Sequence, residues 1–101
     1  MISTEKKKTS QVTSGTYDLI KGEFNPEEAM DVVGTLFTKK INFQKERSFS
    51  QLIRFGEEDP MTQKRIEELI GHREEAKNLI ELAKATGKSL RVNSTVTIEL
   101  I

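Results

Sequence analysis

The stretch from Asp59 to Gly87, with the residues that follow it, constrains this chain most. It reads as one long amphipathic helix leading into a strand from Lys88 to Ile101. Asp59 is a favoured N-cap, and Pro60 suits the first helical position, where no N–H is needed and φ is already helical. Ile66, Leu69, Ile70, Ala76, Ile80 and Ala83 then recur three and four apart and line one face. Leu79 widens that face and Leu82 lies off it. Glu68 is spaced to pair with Arg65, and Glu81 with Lys77 or Lys84. Gly87 supplies the left-handed residue that ends such a helix.

In the strand, Leu90, Val92, Val96, Ile98 and Leu100 alternate with Arg91, Asn93, Thr95, Thr97 and Glu99, and Ser94 is the weak position of the apolar set. Period-two alternation predicts a sheet with one buried and one wet face. Helix and strand are each roughly 40 Å long, so the helix is expected to cover the apolar side of the strand over its whole length.

The earlier half of the chain supplies partners for both elements. Thr16 to Lys21 has the composition of a short strand, with Gly22 as its breaker. Asn25, Pro26 and Glu28 then carry N-cap, first-turn and capping-box signals. The apolar set of this helix, Ala29, Met30, Val32, Val33, Leu36, Phe37, Ile41 and Phe43, spreads over roughly half the circumference, wider than one partner helix requires. Gly34 predicts close approach of another backbone, and Lys40 falls near the expected C-terminal end. Over Arg47 to Glu58 the pattern drifts. That stretch is expected to be a connection with one short helix ended by Gly56, in which Phe49 and Phe55 cover the open end of the helix pair.

The fold class expected is α+β. Its order is β-α-α-β, with a long antiparallel helix hairpin packed on a small antiparallel sheet. Residues 1–13, which include Lys6–Lys8, are expected to be a disordered tail, and residues 14–101 a single domain. A strand of about twelve residues facing one of about six leaves unpaired backbone. The first helix keeps apolar surface as well. Both surpluses predict a homodimer that completes the fold.

Charge and composition narrow the function. Lys plus Arg and Asp plus Glu number 16 each, so the net charge is zero, which disfavours a dedicated binder of nucleic acid or anionic membrane. With no cysteine, disulfide and thiolate chemistry are excluded. No stretch is apolar enough to span a bilayer and no signal-peptide core appears, so a soluble cytoplasmic protein of a microbe is expected.

Two groups of residues stand out as candidate sites. Arg54, Phe55 and Glu57 surround a glycine on an expected loop, a pattern typical of ligand contacts. The plainer account has Phe55 plugging the core, Gly56 turning the chain and Arg54 paired with a nearby carboxylate. Glu68, His72 and Glu75 are spaced to share one side of a helix as a carboxylate–imidazole metal site. Such spacing is common in any Glu-rich helix, and no metal or cofactor is assigned. No nucleophile–base pair can be assembled. The expected function is a non-enzymatic, homo-oligomeric protein-interaction module. The alternatives are a nucleic-acid accessory protein using Lys6–Lys8 and the Lys39–Arg47 segment, and small-ligand or metal binding near Arg54 and His72.

Overall fold

The computed structural model describes residues 12–101, so Lys6–Lys8 and most of the expected tail lie outside the described residues. The elements run β1 (Ser14–Phe24), α1 (Pro26–Phe55), α2 (Pro60–Thr86) and β2 (Leu90–Glu99). The strands form an antiparallel two-stranded sheet and the helices a hairpin, so the expected β-α-α-β order of an α+β chain is present. Two compact units result: the hairpin, Phe24–Leu90, and the paired strands.

The hairpin begins where its caps predict. The Asn25 side chain accepts from the Glu28 N–H at 2.8 Å, and Glu28 Oε1 accepts from the Asn25 N–H at 3.0 Å, a complete capping box. Replacing Asn25 by Ala removes one partner of this exchange and is expected to lower stability by about 1 kcal/mol, while Asn25→Asp loses little. Urea midpoints of the two variants check this. Gly56 (φ 78°) and Gly87 (φ 68°) end the two helices in the left-handed conformation, and Asp59 caps the Met61 N–H at 3.1 Å.

The connection expected over Arg47 to Glu58 is for the most part not one. α1 runs 30 residues without interruption to Phe55, and only Gly56 to Asp59 join the helices. The reason is chemical. The buried stripe of α1 passes from Ile41 to Gln44 and Ser48, spaced three and four apart but polar. Gln63 of α2 donates to Ser48 Oγ, and Thr62, also buried, lies within 3.4 Å of Asp59 Oδ2. The helical period therefore continues in residues that a search for apolar spacing passes over. Lys40 consequently sits in mid-helix, with Nζ 4.9 Å from the centre of the Phe43 ring, and opposes no helix terminus.

The core of the hairpin is small. Ile41, Ile66 and Leu69 form its buried centre, with Phe37 and Ile70 packed against them, and Ala29, Ile80 and Ala83 are buried as well. Moving ten residues back along α1, from Ser48 to Thr38, moves the bonded partner ten residues forward along α2, from Gln63 to Arg73, as antiparallel packing requires. Phe49 and Phe55 cover nothing; they are 61% and 73% exposed. Gly34 makes no close backbone approach, because a Cβ added there or at Gly71 would meet nothing within 4 Å. Both glycines therefore weaken their helices without a compensating contact. Gly34→Ala and Gly71→Ala are each expected to raise stability by about 0.5–1 kcal/mol, and thermal melts of the single and double variants check this.

The strands also depart from expectation. β1 has 11 residues rather than six and matches the 10 of β2, so the overhang used to argue for a dimer is absent. Gly22 does not break β1. It sits inside the strand at φ 152°, a backbone that side-chain-bearing residues rarely adopt. An ion pair between Arg91 and Glu23 at 3.1 Å and a hydrogen bond from the Leu100 N–H to the Thr13 carbonyl at 2.7 Å mark the two ends of the ribbon. Ile20, Gly22 and Phe24 alternate as half-buried positions on β1, and Leu90, Val92 and Ser94 do so on β2. Beyond Ser94 the alternation of burial stops. Val96, Ile98 and Leu100 are exposed, so the apolar side of β2 is not covered along its whole length.

Candidate functional site

Arg54 and Phe55 occupy the last turn of α1 rather than a loop. They line an open hollow of about 480 Å³ together with Phe43, Glu46, Arg47, Ser50 and Gln51, residues that recur along one side of the helix. Glu57 is not part of it. Phe55 does not plug the core and Arg54 forms no ion pair among the described residues, so of the plainer account only the turn at Gly56 holds. Gln51 Oε1 is buried beside this hollow without a hydrogen-bond partner.

The three residues spaced for a metal are divided between two separate side-chain contacts. His72 Nδ1 lies 3.1 Å from Glu75 Oε1, while Glu68 turns to Arg65 at 3.4 Å. The Arg65–Glu68 pair is the one expected from spacing. Glu81 forms no such pair among the described residues with Lys77 or Lys84. No group of three potential metal ligands comes together among the described residues.

A second hollow, about 440 Å³, lies between the helices and is lined by Met30, Val33, Gly34, Arg73, Glu74, Ala76, Lys77 and Ile80. Gly34 borders it, with open space where a Cβ would stand. The signal in the sequence was the glycine inside the apolar arc, and it marks an opening rather than a close contact.

What remains most prominent is apolar surface. Leu36, Phe43, Phe49 and Ile53 on α1, and Met61, Leu79 and Leu82 on α2, are all exposed. Leu79 does not widen the buried face of α2. Leu82, Ala83, Thr86 and Leu90 join it around a hollow of about 260 Å³. Both helices therefore carry apolar side chains that the hairpin itself does not cover. No helix among the described residues is long and apolar enough to cross a membrane.

No family model, no curated protein and no solved structure matches the chain.

Proposed function

We propose that this chain is a non-enzymatic protein-interaction module that associates with itself as a homodimer in the cytoplasm. One observation carries the reading. The hairpin leaves Phe43, Leu79 and Leu82 more than half exposed while burying only a narrow apolar stripe between its helices. A surface of that kind is stabilised by a partner, and a symmetric pair of hairpins is a common way for two helices to gain one. The near-equal strand lengths remove the argument from unpaired backbone, so the proposal rests on side chains alone. Multi-angle light scattering across a dilution series tests it. A mass near twice that of the 11.5 kDa chain, falling on dilution, is expected. A constant monomer mass at tens of micromolar would sink it.

The second reading, a nucleic-acid accessory role, draws on Lys39, Lys40, Lys45 and Arg47, which are exposed and form no ion pair among the described residues. Fluorescence anisotropy with labelled single-stranded DNA and RNA at low salt tests it, because binding through these cations must weaken steeply as salt rises.

A further inference from the structure

We infer that self-association includes the outer edge of β2, which pairs antiparallel with the same edge of a second copy about a two-fold axis at Thr95. This inference rests on the proposed self-association. It adds a seam and its register, drawn from the ribbon and not from the apolar surface of the hairpin.

The strands nearly match in length, yet a two-stranded sheet leaves the outer backbone of both unpaired, and the two edges differ. Moving nine residues back along β2, from Leu100 to Arg91, moves the contacted residue ten along β1, from Thr13 to Glu23. β1 therefore holds one extra residue. The Asp18–Lys21 ion pair at 3.8 Å places it: residues three apart in a regular strand point to opposite faces, and these two meet. An extra residue of this kind is a β-bulge, which bends and twists its strand, and Gly22 lies just beyond it. Bulges of this sort blunt an edge against further pairing. β2 alternates apolar and polar side chains from Leu90 to Leu100, with Ser94 the one exception, so its edge is the regular one.

Backbone direction fixes which residues can pair. The Leu100 N–H turns toward β1, where it donates to the Thr13 carbonyl. Backbone groups alternate in direction along a strand, so Arg91, Asn93, Thr95, Thr97 and Glu99 turn theirs outward. An axis at Thr95 places all of them in hydrogen-bonded pairs. Thr95 meets the partner's Thr95, Asn93 meets the partner's Thr97, and Arg91 meets the partner's Glu99.

Side chains select this register and a second copy as the occupant. Of the charges in the two strands, Asp18 pairs with Lys21 and Glu23 with Arg91, and Glu99 forms no ion pair among the described residues. The axis at Thr95 sets Glu99 opposite the partner's Arg91, whose guanidinium has donors beyond the one that reaches Glu23. The symmetry repeats this pair on the other side of the axis. Thr95 facing itself is a favourable cross-strand pair. On the apolar face Leu90 falls opposite the partner's Leu100, Val92 opposite the partner's Ile98, and Ser94 opposite the partner's Val96; Val96, Ile98 and Leu100 are all exposed. Moving the axis to Ser94 or Val96 sets Glu99 opposite the partner's Ser89 or the partner's Asn93 and leaves both charges unmatched. Parallel pairing in register sets Arg91 against the partner's Arg91, which is unfavourable. Read backwards about Thr95, β2 complements itself in charge, polarity and backbone direction together. A second copy supplies that complement without further requirement, and another protein's strand need not.

The experiment uses light scattering, with circular dichroism to confirm that each variant is folded. Thr95→Pro removes an outward N–H that β1 does not use, so the ribbon keeps its own ladder. The two bonds at the axis are lost, and the dimer dissociation constant is expected to rise about tenfold or more. Thr16→Pro, whose N–H faces outward on the β1 edge, is expected to leave it unchanged. Arg91→Glu and Glu99→Arg each set like charges opposite one another and are expected to weaken association alone. An equimolar mixture of the two restores it, because every Glu then faces an Arg. The Arg91–Glu23 pair is lost in the Arg91→Glu protein whether mixed or not, so restoration reports the contact between copies. Because the chain has no cysteine, Thr95→Cys reports the axis. It is expected to cross-link to itself under mild oxidation, whereas Asn93→Cys, also exposed but set opposite the partner's Thr97, does not. A dimer that Thr95→Pro leaves unchanged, that Thr16→Pro weakens equally, or that mixing fails to restore overturns this seam while leaving self-association standing. A monomer throughout overturns both. A monomeric parent that binds a peptide of alternating Val and Thr, blocked by Thr95→Pro, assigns the edge to another protein's strand and likewise overturns the inference.

Discussion

Lys45→Pro is expected to destabilise the chain by about 3 kcal/mol or more. Lys45 is exposed, so the substitution removes no packing. It lies deep within the 30 residues of α1, where a proline loses the hydrogen bond to the carbonyl four residues earlier and its ring strikes that carbonyl. The change therefore isolates the continuity of the helix. In an open connection the same substitution would be nearly silent. Urea denaturation followed at 222 nm separates the outcomes, and a midpoint within error of the parent protein would show that α1 does not continue through Lys45 in solution. If the chain dimerises, the comparison is made at one protein concentration, because association adds to apparent stability.

Leu69→Ala is the second large effect. Leu69 is 5% exposed and sits in the buried trio with Ile41 and Ile66. Truncation removes its transfer free energy and leaves a cavity, together about 2–5 kcal/mol. Whole domains are stable by about 5–15 kcal/mol, so one such loss in so small a core is expected to bring unfolding close to ambient temperature. Leu79→Ala, made at the same residue type but at a site 60% exposed, is the control; in the monomer it is expected to change stability by less than about 0.5 kcal/mol. Calorimetry on both proteins reads the difference. Equal losses would mean that burial within the hairpin does not distinguish the two leucines.

The comparison of these leucines shows where reasoning from spacing stops. Ile66, Leu69, Ile80 and Ala83 were placed on the buried face of α2 by their period, and they are buried. Leu79 was added to that face because it is adjacent on the helical wheel, yet α1 does not reach it. Period shows which residues lie on one side of a helix, but the width of the buried stripe depends on how closely the facing helix approaches. The candidate sites divide in a similar way. The Arg65–Glu68 pair is local to one turn and was legible. The grouping of Arg54 and Phe55 with Phe43 and Arg47 was not, because it depends on α1 continuing through a stretch that lost its apolar rhythm.

The sequence by itself determined the order of elements and most of their ends. Asn25 with Glu28, Asp59 with Pro60, and the glycines at 56 and 87 act through contacts no more than about five residues away, so their effect is the same whatever the rest of the chain does. Only the tertiary structure decided how far α1 extends, how long β1 is and which apolar side chains are covered. Gln44 and Ser48 are buried because α2 packs beside them, and Gln63 satisfies Ser48 from 15 residues away. Gly22 remains in a strand because β2 pairs with β1 from the other end of the chain. Burial and strand pairing belong to two segments at once, and neither segment's own residues contain them.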